Sequence, residues 1–151
     1  LGVGTGMLTI ASILMDSAFN VGVDIDQDAL ELAAHHLDAM EMGGSADLVN
    51  MNVQDLQLNT TFDTVVMNPP FGTRIAGIDT IFLEKGMEYA NVVYSLHKTS
   101  TRQHFVRKAE AEGWSMEVVA ELRYDIPKTF KWHKQKSKDI DVDLYRFAHV
   151  S

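Results

Sequence analysis

An α/β fold with a mostly parallel sheet and an antiparallel last strand is predicted by three observations. Strand-like and helix-like stretches alternate along the chain. A glycine-rich turn, Gly2-Val3-Gly4-Thr5-Gly6, opens the first helical stretch. Two alternating strands, Met116–Arg123 and Val142–Phe147, then follow each other with no helix between them. Short connections between the earlier elements place helices on both faces of such a sheet.

Each element has a local reason. From Met7 to about Met15, apolar residues fall at 7, 8, 10, 11, 14 and 15, the repeat of an amphipathic helix. Asn20–Ile25 is a short strand in which Val21 and Val23 alternate with glycine. Asp26 and Asp28 suit the N-terminus of the next helix, which runs through Leu30, Ala33, Ala34 and Leu37 to Met42. Gly43-Gly44 is expected to stop it. Strands follow at Leu48–Asn52 and Phe62–Met67, then a helix over residues 79–91 and a strand at Val92–Leu96. Ser100 with Gln103 has the spacing of a capping box, before a helix that ends at Gly113.

Composition bounds the function. The 151 residues suffice for one domain, and 46% hydrophobic with 23% charged content is that of a globular protein. There is no cysteine, which removes disulfides and thiolate metal sites. The six histidines show no ligand spacing with a carboxylate, so no metal is predicted. No apolar run approaches the ~18 residues of a membrane span. The net charge of −8 is divided unevenly: residues 1–73 hold no Lys or Arg, while ten of the thirteen basic residues lie between Lys98 and Lys138. One part of the chain is built to avoid anions and another to meet one.

Gly2, Gly4 and Gly6 form a GxGxG pattern, which lets backbone approach a ligand beside a helix N-terminus. Dinucleotide binders place the third glycine one position later, and no Gly-Lys-Ser/Thr follows to make a P-loop. On its own the loop is equally a tight structural turn. Asp24 adds to it: a carboxylate closing the next strand accepts from both hydroxyls of a ribose and disfavours a 2′-phosphate. An adenosine without a recognised phosphate follows, and S-adenosylmethionine fits, its sulfonium suiting the acidic half. Asn52 and Val53 stand where the adenine would lie, the amide oxygen accepting from its amino group and the Val53 N–H donating to a ring nitrogen. Asp55 competes for that role.

Asn68-Pro69-Pro70-Phe71 ends the strand Phe62–Met67, because two prolines remove backbone donors in succession. An amide, a rigid carbonyl and an aromatic ring are left at the carboxyl end of a strand, suited to a flat, amino-bearing group. The plain alternative is a Pro-rich turn. Lys128, Lys131, Lys134, Lys136 and Lys138 enclose Phe130 and Trp132, a pattern that suits a phosphate backbone with exposed bases. Lys98 and Arg102 extend that surface, and the alternative there is a solvated loop.

In this order the glycine loop, Asp24 and Asn68-Pro69-Pro70-Phe71 resemble the class I S-adenosylmethionine-dependent methyltransferases that act on planar amino groups. With Gly72-Thr73, Tyr94-Ser95-Leu96-His97-Lys98, Glu121-Leu122-Arg123-Tyr124-Asp125 and Asp141-Val142-Asp143-Leu144, the resemblance over residues 1–149 is to the methyltransferase-like protein five family. That resemblance implies a Rossmann-like sheet of order 3-2-1-4-5-7-6 and methylation of adenine N6 in small-subunit ribosomal RNA. It also implies a small zinc-binding activator subunit on the edge strand Leu48–Asn52, and residence in the nucleus, nucleolus and cytoplasm. Its cofactor contacts carry onto Gly2, Thr5, Met7, Asp24 and Asn52, and its catalytic contacts onto Asn68, Pro69, Pro70 and Phe71. Two departures stand out: Asn52 replaces an aspartate, and the first strand is largely missing. The expectation is therefore a single, partial methyltransferase domain, N-terminally truncated, with unpaired backbone on the strands that flank the gap. Two other readings use the same residues: N-methylation of a protein glutamine amide, and a non-catalytic fragment that binds RNA or a partner.

Overall fold

Helix α1 (Met7–Leu14) leads to strand β1 (Asn20–Asp24), then α2 (Gln27–Ala39), β2 (Ala46–Asn50) and β3 (Phe62–Met67). Next come α3 (Ile78–Tyr89), β4 (Ala90–Lys98), α4 (Arg102–Ala111), β5 (Trp114–Tyr124) and β6 (Ile140–His149). This structure, a computed structural model, describes residues 1–70, 77–124 and 140–150. Phe71, Lys128, Lys131, Trp132, Lys134, Lys136 and Lys138 therefore lie outside the described residues.

Local chemistry explains where elements start and stop. The Asp26 carboxylate accepts from the N–H groups of Asp28 and Ala29, at 3.0 and 3.3 Å, and caps α2. The helix stops at Ala39, before the glycine pair expected to end it. Glu41 adopts a left-handed φ of 60°, and Met42 N–H returns to the Leu37 carbonyl at 2.8 Å, which closes the last turn. Gly43-Gly44 lies instead in a 3₁₀ turn, Gly43–Ser45. The box expected at Ser100 and Gln103 is not what begins α4. A 3₁₀ turn, Thr99–Thr101, leads into it, and Thr101 Oγ1 donates to the Lys98 carbonyl.

Strands β1 and β2 pair in parallel, and a second sheet has the order β3-β4-β6-β5. β3 and β4 are parallel, with Met67 opposite Ser95, while β6 is antiparallel to both neighbours. This is the predicted α/β pattern. β2 begins two residues earlier than expected and ends at Asn50, which faces Asp24. Asn52 is therefore not on the edge strand but caps a 3₁₀ turn, Val53–Asp55.

The two sheets are held together at their carboxyl ends. The Leu1 nitrogen donates to the Val66 carbonyl of β3 at 3.0 Å, and Gly2 N–H donates to the Val23 carbonyl of β1 at 2.8 Å. Below this stitch a cavity of about 580 Å³ separates them, lined by Val21 and Val23 on one side and Thr64 and Val66 on the other. The flanking backbone expected to be buried and unpaired thus borders an open space.

The main core lies under α3 and α4, where Leu83, Phe105 and Ala109 meet Met67, Val93, Tyr145 and Phe147. Val93, Ser95 and His97 alternate along β4 and share this face, all fully buried. Leu83→Ala should lower unfolding free energy by ~2–5 kcal/mol, because the cavity it leaves is enclosed. Leu14→Ala, at a position 64% exposed, should change it by less than about 0.5 kcal/mol. Urea unfolding of both variants checks the contrast.

Candidate active site

The carboxyl ends of β1, β2 and β3 converge on a second cavity of about 440 Å³, of a size suited to a small ligand. It is smaller than the space between the sheets, and it is set apart by its place at the strand ends, where the glycine loop, Asp24 and Asn68 meet. Gly2, Gly4, Asp24, Asn52, Val53, Asn68 and Pro70 all line it. Sequence positions 2 to 70 are thus brought to one crevice, where open α/β sheets bind ligands.

The glycine loop is shaped by its packing. Gly2 has φ of +67°, and a Cβ there would stand 3.0 Å from Cε1 of Phe82. Gly6 has φ of +91° and faces Ala33 of α2, 3.1 Å from where a Cβ would be. Larger residues would have to strain the backbone and displace a neighbour at both places. Asp24 then fixes the loop from β1: its Oδ2 accepts from Gly4 N–H at 2.8 Å, and its Oδ1 from Asp26 N–H at 2.9 Å. Each oxygen keeps a second acceptor site for a ribose hydroxyl.

Not every predicted contact reaches the crevice. Gly6 serves the packing just described. Thr5 offers its carbonyl to His36 Nδ1 at 2.9 Å, so that nitrogen carries the proton and α2 holds the loop. Met7 is 66% exposed, and Pro69 is fully buried beneath the turn. Asn52 Oδ1, expected to meet an adenine amino group, accepts from Gln54 N–H at 3.1 Å. It retains one lone-pair direction for a ligand.

Several residues of the site were not anticipated. Ile25, Met51, Ile78 and Phe82 supply its apolar walls. Asn50 Nδ2 donates to the carbonyls of Asp24 and Ile25, at 3.2 and 3.0 Å, and fixes the strand end that presents the carboxylate. The signal for Asn50 is its register opposite Asp24, which the later strand boundary concealed.

Arg102 has a different task from the one expected. Its Nε donates to Asp143 at 2.8 Å and its Nη2 to Glu121, so it ties α4 to β5 and β6. Both carboxylates push its pKa up. Burial works to raise the Asp143 pKa, but hydrogen bonds from Arg102, Tyr145 and Thr99 outweigh it and hold the carboxyl below its ordinary value. Lys98, in contrast, stands half-exposed at the carboxyl end of β4.

A glycine loop, a carboxylate closing the next strand and an Asn-Pro-Pro turn on this sheet define a class I methyltransferase fold, whose methyl donor is S-adenosylmethionine. A family model described as UPF0020, RMKL-like methyltransferase domain, matches residues 8–123. The chain is 46% identical to the rRNA N(6)-adenosine-methyltransferase METTL5 of Danio rerio, over 98% of this chain and 73% of the relative. It is 49% identical to the enzyme of the same name from Drosophila melanogaster, over 97% and 71%. A crystal structure of a Pyrococcus horikoshii protein superposes with a TM-score of 0.81 at 31% identity, covering 99% of this chain and 72% of that one. The chain belongs to the METTL5 family of rRNA N6-adenosine methyltransferases.

The residues present fit the donor. A carboxylate with free acceptor capacity would face the ribose, apolar walls would flank the adenine, and among the described residues no cation lines the crevice. Asp24→Ala should weaken S-adenosylmethionine binding by roughly 1.5–3 kcal/mol, about tenfold or more in Kd by calorimetry, because a charged acceptor is lost.

Near the site, burial lowers the His97 pKa from 6.5 to about 4, only partly opposed by Asp79. In the unfolded chain this imidazole gains its proton near pH 6.5, whereas the folded protein resists until about pH 4. The unfolded state therefore binds more protons in that window, and stability falls on acidification. The loss should reach roughly 3 kcal/mol by pH 4, measured as the change in urea midpoint, and His97→Phe should remove that part of the slope.

Proposed function

We propose that this chain transfers the methyl group of S-adenosylmethionine to N6 of an unpaired adenosine in small-subunit ribosomal RNA. The observation that carries this reading is the placement of Asn68 on the same crevice as Asp24, at the end of a strand that Pro69 and Pro70 terminate. The kinship with METTL5 enzymes of fish and fly supports the substrate class.

The adenine amino nitrogen is a weak nucleophile because its lone pair is shared with the ring. Asn68 Oδ1 and the Pro69 carbonyl would each accept one N6–H, which draws the nitrogen toward tetrahedral geometry. The same oxygens stabilise the positive charge that develops on nitrogen as the methyl arrives. The turn is rigid by sequence and holds Asn68 at the crevice, whereas the Pro69 carbonyl, buried here, would have to be uncovered as the base enters. The donor, once bound, supplies an electrophilic methyl on its sulfonium. No general base is required during transfer, since the ammonium formed can lose its proton afterwards to water. Phe71 would stack on the target base, worth ~1–3 kcal/mol, after the base has left its own stack.

RNA binding is assigned to Lys98 together with Lys128, Lys131, Trp132, Lys134, Lys136 and Lys138, whose charge and rings suit phosphate and exposed bases. A small zinc-binding activator subunit is proposed on the outer edge of β2, Ala46–Asn50, which among the described residues pairs with β1 alone. Its free edge groups suit an added strand. Residence in nucleus, nucleolus and cytoplasm would follow from the substrate.

Asn68→Ala should abolish methyl transfer to an RNA carrying a single-stranded adenosine while leaving S-adenosylmethionine binding within about twofold of the parent. Transfer from labelled donor, with a glutamine peptide as the competing acceptor, tests both the residue and the substrate class. Retained turnover, or preference for the peptide, would sink the proposal. Replacing Lys131, Lys134 and Lys136 with Gln should weaken RNA binding and reduce the slope of log K against log salt by up to about 2–3 units.

A further inference from the structure

A buried polar chain beside the acceptor turn has no role in the chemistry described so far. His97 lies on β4 with its side chain wholly inaccessible, and Ser95, two residues earlier on the same face, is equally buried. His97 Nε2 stands 2.7 Å from Ser95 Oγ. Its Nδ1 is buried with no hydrogen-bond partner among the described residues. The nearest charged group is the Asp79 carboxylate in the first turn of α3, 4.0 Å away. The ring is held by stacking, 3.8 Å from the Phe105 centroid and 5.7 Å from that of Tyr145.

Serine, histidine and aspartate in this order suggest a nucleophilic triad, but Ser95 cannot serve as a nucleophile. It has no exposed surface, and neither cavity includes it. What the three residues join is more informative. Ser95 pairs in register with Met67, the residue before Asn68. Asp79 follows Ile78, which with Phe82 forms a wall of the cofactor crevice. Asp79 also accepts from Thr80 N–H at 2.9 Å, and Thr80 Oγ1 lies 3.1 Å from His104 Nε2 of α4. The first turn of α3 is therefore gripped from β4 and from α4 together.

We propose that His97 is a positioning residue for the methyl acceptor, a strut whose Nδ1–H is aimed at Asp79 while its Nε2 accepts from Ser95. The strut sets the spacing between the strand end that presents Asn68 and Pro69 and the helix start that presents Ile78 and Phe82. The tautomer follows from the partners: a carboxylate only accepts, so the proton belongs on Nδ1, and the Ser95 hydroxyl must then donate. A neutral ring suits the role, because Ser95 satisfies Nε2 and the Nδ1–H faces the Asp79 carboxylate at 4.0 Å without a buried charge on the ring. This assignment rests on the methyl-transfer reading for its effect on rate, but the strut itself can be observed without it.

Nitrogen-15 spectra of the histidine-labelled protein should show His97 as the Nδ1–H tautomer. His97→Phe keeps the ring stack and should leave S-adenosylmethionine Kd within about twofold, since no cofactor contact is altered. It should lower kcat for RNA about tenfold or more and speed amide exchange at Thr80 and Ile81 relative to α4. Asp79→Ala should give the same kcat loss, and the double variant should lose no more, as expected of two ends of one connection. His97→Asn, whose amide nitrogen reaches toward Asp79, should recover part of the rate. An Nε2–H tautomer, unchanged exchange at Thr80 and Ile81, or an unchanged kcat with only a lower melting temperature would overturn the strut. Absence of methyl transfer by the parent protein would instead count against the functional reading, while tautomer and exchange would still decide the strut.

Discussion

Four residues of backbone, Leu1 to Gly4, join everything the site needs. Leu1 reaches the Val66 carbonyl of β3, Gly2 and Val3 reach the Val23 carbonyl of β1, and Gly4 reaches the Asp24 carboxylate. These few bonds decide how far the Asp24 carboxylate stands from the Asn68 turn. Asp24 belongs to the two-stranded sheet and Asn68 to the four-stranded one, and below the stitch the sheets are separated by a cavity. Side-chain positions on different sheets are correlated only through what spans them. Here that is the packing of Val23 with Leu56 and Tyr89, together with a glycine loop whose left-handed turns cannot be copied by other residues without strain.

The electrostatics follow the same division. The glycine loop, Asp24, Asn52 and Asn68 come from a stretch with no Lys or Arg, so no cation of that stretch competes with a cationic donor for the carboxylate. The cations gather later in the chain, but not all are equivalent. Arg102 shows why charge alone is a poor guide: with Asp143 and Glu121 it forms part of an interior connection between α4, β5 and β6. Removing it would leave Asp143, which has no exposed surface, short of its cationic partner. Lys98 has no such carboxylate partner among the described residues, a property of tertiary position rather than residue type.

Much of the site was legible because it is built from local chemistry. Two prolines after a hydrophobic strand fix a strand end, and alternate glycines before a helical repeat fix a loop, whatever surrounds them. Asp24 was legible because it closes a strand. Asn50 and His36 were not, since each acts across a gap in sequence, on Ile25 and Thr5 respectively. Asn52 illustrates a finer limit: its position beside the crevice was foreseen, but the Gln54 amide that claims its oxygen depends on a 3₁₀ turn that hydrophobic periodicity does not encode. The same holds for α2, which closes through Glu41 because a left-handed non-glycine residue gave no sequence signal.

The acceptor side separates recognition from chemistry. Asn68 and the Pro69 carbonyl need only a flat group bearing an amino function, and an adenine or a glutamine amide would satisfy them equally. Discrimination must therefore come from groups outside the turn. An unpaired nucleotide brings a phosphate and a second ring face, and a peptide brings neither. Cationic side chains and an aromatic ring beyond the turn improve binding of the first and do nothing for the second. In the proposed reaction, stacking a base would also hold its plane fixed while the two oxygens act on its amino group, so the element that selects RNA would also orient it. Selectivity for RNA and rate of transfer would then be two consequences of one constraint, the plane of the base, with Asn68 proposed to fix the remaining rotation within that plane.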